Sequence, residues 1–122
     1  MRILSVITLA FTILTIKTGV AFAHAYPVHE TPPANAVLKE PPKIVSITFT
    51  EGVNAHFSGI IVTAANGQRV DNGVVVRGLK NHEILSVGIK NPLAPGVYKV
   101  IWHALSEDGH RTQGNYQFSE AQ

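Results

Sequence analysis

Where apolar residues gather in this chain, they recur at every second position. Val45, Ile47 and Phe49 alternate with Ser46, Thr48 and Thr50, and Tyr98, Val100, Trp102 and Ala104 share one face of the run Val97 to Ala104. That period belongs to a half-buried β-strand, whose successive side chains point to opposite faces. Ile60-Ile61-Val62-Thr63, Val74-Val75-Val76, Ile84 to Ile89 and Asn115 to Phe118 read as further short strands. Asn66-Gly67, Asn72-Gly73, Lys80-Asn81-His82 and Pro95-Gly96 supply breaks between them. Nothing shows helical periodicity, and Ala34 to Lys39 is long enough for one turn at most. The pattern implies an all-β fold, a sandwich or Greek-key barrel of about seven strands. Trp102, Tyr98, Phe49 and Phe118 read as its core aromatics.

The segment before the strands has a different character. Met1-Arg2 opens with a positive charge, Ile3 to Ile16 is apolar, and Ala21-Phe22-Ala23 has the small-x-small form that signal peptidases cut after. Lys17 and Gly19 interrupt the apolar run before the roughly 20 residues that a membrane-spanning helix requires. Residues 1–23 therefore read as a cleaved signal peptide, and residues 24–122 as one exported domain with no membrane anchor. Arg2 and Lys17 would leave with the leader, so the remaining eight basic residues balance eight acidic ones. The basic character thus belongs to the precursor and gives no support for nucleic-acid or anionic-membrane binding. With no cysteine, the domain has no disulfide, no thiolate metal ligand and no lipid-attachment site.

All six histidines lie after the proposed cut, and His24 would be the first residue of the product. An N-terminal histidine offers two nitrogens, its α-amine and imidazole Nδ1, which close a chelate ring on one ion. Asp108-Gly109-His110, after the Trp102 strand, is the second feature. Residues two apart in an extended chain face the same side, so Asp108 and His110 can converge, although Asp-Gly is first of all a turn signal. Amine, two imidazoles and a carboxylate make a nitrogen-and-oxygen set that suits Cu(II), at the top of the divalent affinity order. His29 faces away from His24 if the proline-punctuated arm His24 to Pro33 is strictly extended, while His56 and His82 fall in loops. His103 lies on the strand face opposite Trp102 and is read as exposed or as a hydrogen-bonding partner. Glu107 and Asp108 are adjacent and point apart, so they form no general acid–base pair. No phosphate loop or serine-nucleophile motif is present.

Several motifs together resemble the periplasmic copper-resistance family typified by CopC. They are the mature start His24-Ala25, Thr31-Pro32-Pro33-Ala34, Phe49-Thr50-Glu51, Phe57-Ser58-Gly59, Gly96 to Trp102, and the tail Leu105 to Phe118. The resemblance spans essentially the whole mature chain in order. It implies an immunoglobulin-like Greek-key β domain in the periplasm that carries or stores copper and is not an enzyme. It also implies a Cu(II) site at His24, Asp108 and His110, and an inner-membrane copper transport partner of the CopD type. One departure is clear. Many members bind Cu(I) through a methionine-rich loop, whereas the only methionine here is Met1, in the leader. Cu(I) prefers sulfur donors, so the sequence resembles the sub-type with a Cu(II) site alone.

Two other functions fit parts of the pattern. A small copper monooxygenase with a histidine brace would also begin with histidine, but would show oxygen-dependent turnover with a reductant and a polysaccharide. A structural immunoglobulin-like module would carry incidental histidines and fail to bind Cu(II) stoichiometrically.

Overall fold

The computed structural model describes residues 24–121; the proposed leader and its cut after Ala23 lie outside the described residues. Eight strands form two four-stranded sheets, which face each other as a sandwich and do not close into a barrel. They are β1 Pro27–Thr31, β2 Val37–Leu38, β3 Ile44–Phe49, β4 Gly59–Ala64, β5 Asp71–Arg77, β6 Ile84–Ile89, β7 Gly96–Leu105 and β8 Arg111–Glu120. One sheet runs β1-β3-β6-β5 and the other β2-β8-β7-β4. A single turn of 3-10 helix, Ala55–Phe57, precedes β4.

The alternation expected over the third and seventh strands is realised. Val45, Ile47 and Phe49 from β3 meet Tyr98, Val100, Trp102 and Ala104 from β7 in one core, with Leu85, Val87 and Phe118. The Phe49 and Trp102 rings meet edge-on at 5.3 Å between centroids, and Tyr98 stacks on Phe118 at 5.6 Å. With no disulfide, burial of this surface at about 25 cal/mol per Å² is the main favourable contribution to folding.

Three local expectations change. The proline-rich arm contains a true strand: β1 pairs antiparallel with β3 at the edge of its sheet, where a missing N–H at Pro27 costs no ladder bond. The two-residue β2 pairs parallel with β8. Asn72-Gly73 does not break a strand but forms an irregularity inside β5, whose register shifts between Asp71 and Val75. Edge strands commonly carry such bulges.

The β7–β8 hairpin matters most for function. Its ladder runs without interruption from Gly96↔Glu120 to Leu105↔Arg111, leaving Ser106 to His110 as the connecting turn. The start of the N-terminal arm, the end of β3 and this turn lie at the same end of the sandwich, linked by the hydrogen bonds described next.

Candidate metal centre

Residues His24 to Tyr26 are fastened to both sheets. The Thr50 hydroxyl, just past β3, donates to the His24 carbonyl at 3.1 Å and accepts from the Tyr26 N–H at 3.1 Å. The Thr50 N–H donates to the Tyr26 carbonyl at 2.8 Å. From the other sheet, the Thr112 hydroxyl of β8 donates to the Ala25 carbonyl at 2.8 Å, and the Ala25 methyl is fully buried. His24 is thus presented at a defined place.

That place is beside His110. The two imidazole centroids lie 4.5 Å apart at an interplanar angle of 62°, although 86 positions separate the residues. Tyr26 meets His24 from another side, edge-on at 6.3 Å. Nδ1 of His24 is buried without a hydrogen-bond partner. A buried polar atom left unpaired costs roughly 1–3 kcal/mol, and a bound ion would remove that cost. It is also the ring nitrogen able to close a chelate with the residue's own amine.

The turn carrying Asp108 and His110 is built around Ser106, whose side chain is buried. Its hydroxyl donates to the Asp108 carboxylate and accepts from the His110 N–H at 3.0 Å. Its backbone N–H reaches the His110 carbonyl at 2.8 Å, and its carbonyl accepts from the Gly109 N–H at 2.9 Å. Gly109 takes a φ of +93°, a conformation L side chains rarely adopt, which lets the chain reverse between the two candidate ligands. Asp108 and His110 converge through this turn and not through extended alternation.

Asp108 Oδ1 lies 3.1 Å from His110 Nδ1. With Nδ1 donating to the carboxylate, Nε2 is the nitrogen His110 can offer a metal, and the carboxylate fixes the ring's orientation. The Ser106 hydroxyl first, and His110 second, hold the Asp108 carboxyl below its ordinary carboxylate value. It therefore stays ionised in any mildly acidic medium.

These residues suit a nitrogen-and-oxygen metal in donor chemistry, but they do not form a finished cage. Among the described residues, no three His, Cys, Asp or Glu side chains already stand at metal-holding spacing. The chemistry explains the difference. One expected donor is a backbone amine, and Asp108 already commits Oδ1 to Ser106 and His110, which leaves Oδ2 as the oxygen it would offer a metal.

The other histidines lie elsewhere. His29 is exposed and contacts the Thr31 hydroxyl at 3.4 Å, with a register shift between Pro27 and His29 that makes strict parity along the arm inapplicable. His56 is exposed in the 3-10 turn, and His103 is exposed on β7. His82 bonds Glu107 at 2.9 Å, so Glu107 and Asp108 turn to separate partners. Thr50, Thr112 and Ser106 escaped sequence reasoning as individual site residues, because a strand-end hydroxyl carries no signal of its own. Next to Thr50, one carboxylate oxygen of Glu51 is buried without a partner.

Taken together, a two-sheet β-sandwich with paired imidazoles at one end defines a small β domain with a candidate metal centre on its rim. Residues 27–121 match the CopC domain model, and the chain belongs to that family. It is 35% identical to Protein YobA of Escherichia coli strain K12 over 91% of this chain and 90% of that protein. It is 40% identical to the Copper transport protein CutJ of Bacillus subtilis strain 168 over 93% of this chain, which spans only 21% of that longer protein. The crystal structure of CopC from Methylosinus trichosporium OB3b superposes with a TM-score of 0.74 at 29% identity, covering 80% of this chain and 94% of that one.

Proposed function

We propose that the mature protein, residues 24–122 after removal of a signal peptide, binds one Cu(II) in the periplasm. It holds the ion through the His24 amine and Nδ1, His110 Nε2 and the Asp108 carboxylate. Its role is to sequester copper or pass it to a membrane transport partner, and not to catalyse a reaction. The observation that carries this reading is the 4.5 Å approach of the His24 and His110 rings with His24 Nδ1 buried and unpartnered. Delivery to an inner-membrane protein of the CopD type is supported by the match to one part of a protein named for copper transport. Preference for Cu(II) over Cu(I) rests on the donor set: no cysteine, and no methionine other than Met1.

The test is a Cu(II) competition titration at fixed pH on protein beginning at His24 and on a form with one glycine added before it. The added residue turns the amine into a peptide nitrogen, a poor ligand until deprotonated, while keeping every side chain. Binding should weaken sharply. Equal affinity in the two forms would place the metal elsewhere, and a tight Cu(I) site in the native protein would refute the preference for Cu(II).

A further inference from the structure

We propose that Glu107 is a positioning residue for the copper centre, its carboxylate latching the Asp108–His110 turn to the loops beside it. This rests on the copper reading above. Glu107 Oε1 lies 2.9 Å from His82 Nδ1, in the β5–β6 turn, and 3.6 Å from Arg77 Nη1, at the end of β5. The same arginine nitrogen donates to the Val53 carbonyl at 3.2 Å. The Glu107 N–H donates to the Gly52 carbonyl at 2.9 Å, and the Asn54 N–H to the Leu105 carbonyl at 2.8 Å. The Val53 N–H reaches the His82 carbonyl at 2.9 Å, so three loops meet around this one carboxylate.

The juxtaposition gives the latch its consequence. The Glu107 backbone N–H holds the Gly52 carbonyl, and its carboxylate faces the Arg77 nitrogen that holds the Val53 carbonyl; Gly52 lies two residues after Thr50, the residue that holds His24. Glu107 therefore joins the turn presenting His110 to the segment presenting His24, and fixes one imidazole relative to the other. Its neighbour Asp108 gives one oxygen, Oδ1, to Ser106 and His110, so Asp108 braces the turn from inside and Glu107 from outside.

A purely stabilising role predicts little, because the Glu107, His82 and Arg77 side chains are a third to a half exposed and such pairs add little to stability. A positioning role predicts a change in copper geometry. Gly52 provides a clean perturbation. A Cβ there would lie 2.7 Å from the Glu107 Cδ and Oε2. Those atoms are the far end of a flexible side chain, so Gly52→Ala displaces the carboxylate and leaves the backbone in place.

The experiment compares native mature protein with Glu107→Ala, Gly52→Ala, Glu107→Gln and His110→Ala. Cu(II) competition titration, electron paramagnetic resonance of the Cu(II)-loaded protein and thermal melting of the copper-free protein are read for each. Glu107→Ala and Gly52→Ala should weaken Cu(II) roughly three- to fivefold. They should also broaden or split the resonance, while copper-free melting shifts by less than about 4 °C. Glu107→Gln, which keeps a hydrogen-bonding group, should fall between these and native. Native affinity and an unchanged resonance in both variants, with His110→Ala still impaired, would overturn the latch alone. Binding insensitive to His110→Ala would overturn the copper reading and the latch with it.

Discussion

The fastening of the N-terminal arm can be tested with two substitutions that preserve shape, Thr50→Val and Thr112→Val. Together they remove three hydrogen bonds to residues 24–26: the Thr50 hydroxyl to the His24 carbonyl and from the Tyr26 N–H, and the Thr112 hydroxyl to the Ala25 carbonyl. A neutral hydrogen bond contributes a net of about 0.5–1.5 kcal/mol, so three contribute about 1.5–4.5 kcal/mol. The two Thr50 bonds are exposed and water can replace them, which places the loss in the lower half of that range. The buried Ala25 methyl, the Thr50 N–H bond to Tyr26 and the β1–β3 ladder still favour the docked arm. Apparent affinity scales with the fraction of molecules in which His24 is docked, so part of the lost energy is absorbed before binding suffers. The double variant should bind Cu(II) about tenfold more weakly, and each single variant about two- to threefold. Competition against a chromophoric chelator at fixed pH measures this, with circular dichroism confirming an unchanged β spectrum. If the double variant binds like native protein while His110→Ala does not, the threonines do not position His24 and the reasoning fails.

Other outcomes follow from the same geometry. His110→Ala should lower Cu(II) affinity by about 100-fold or more, above the effect of losing an outer partner, whereas His29→Ala and His56→Ala should leave the same titration unchanged. Affinity should fall on acidification, beginning in the ordinary range of a free α-amine, about 7.7–8.0, because a ligating nitrogen must be deprotonated to bind. Asp108, held below its ordinary value by Ser106 and His110, stays ionised in mildly acidic medium, so that fall should show no carboxylate step there. Copper-free protein should keep its β-type far-UV spectrum, since the core lies away from the rim; collapse to coil on chelation would contradict this. Trp102→Ala, at a site only 6% exposed and packed against Phe49, should cost about 3–5 kcal/mol in urea unfolding.

What could be read in the sequence divides along a physical line. The strands over Lys43 to Thr50 and Val97 to Ala104 were legible because each buries one face, and burial writes a period of two into the residues themselves. The β1 and β2 strands were not, because each is a short edge strand that fully buries no residue, so its pairing partner and no apolar alternation marks it. Pro27 looks like punctuation until β3 is alongside. Asn72-Gly73 misled for a related reason: the same residues that reverse a chain also let an edge strand bulge, and only the register across to β6 separates the two.

The candidate centre draws that line more sharply. Asp108-Gly109-His110 offered two readings that looked like rivals, a turn or a ligand pair, and the fold makes them one. The turn is what brings the carboxylate to 3.1 Å from His110 Nδ1, with Gly109 supplying the reversal and Ser106 anchoring both ends. A residue motif can therefore announce this half of the site. The other half has no motif beyond His24 itself, because its position comes from two hydroxyls, Thr50 and Thr112, on different sheets. Only the packing of one sheet on the other sets the distance between those hydroxyls. The spacing of His24 from His110 thus depends on the whole sandwich as well as on the Glu107 contacts between the loops, and a core substitution that slides the sheets should alter copper geometry without touching a ligand. Phe49 and Trp102 meet where the two sheets face each other, and Phe49 immediately precedes Thr50. In Phe49→Leu, the Cu(II) resonance of the still-folded protein should therefore shift while its copper-free β spectrum persists. An identical resonance would show that sheet packing adds nothing to the placement the loops already give.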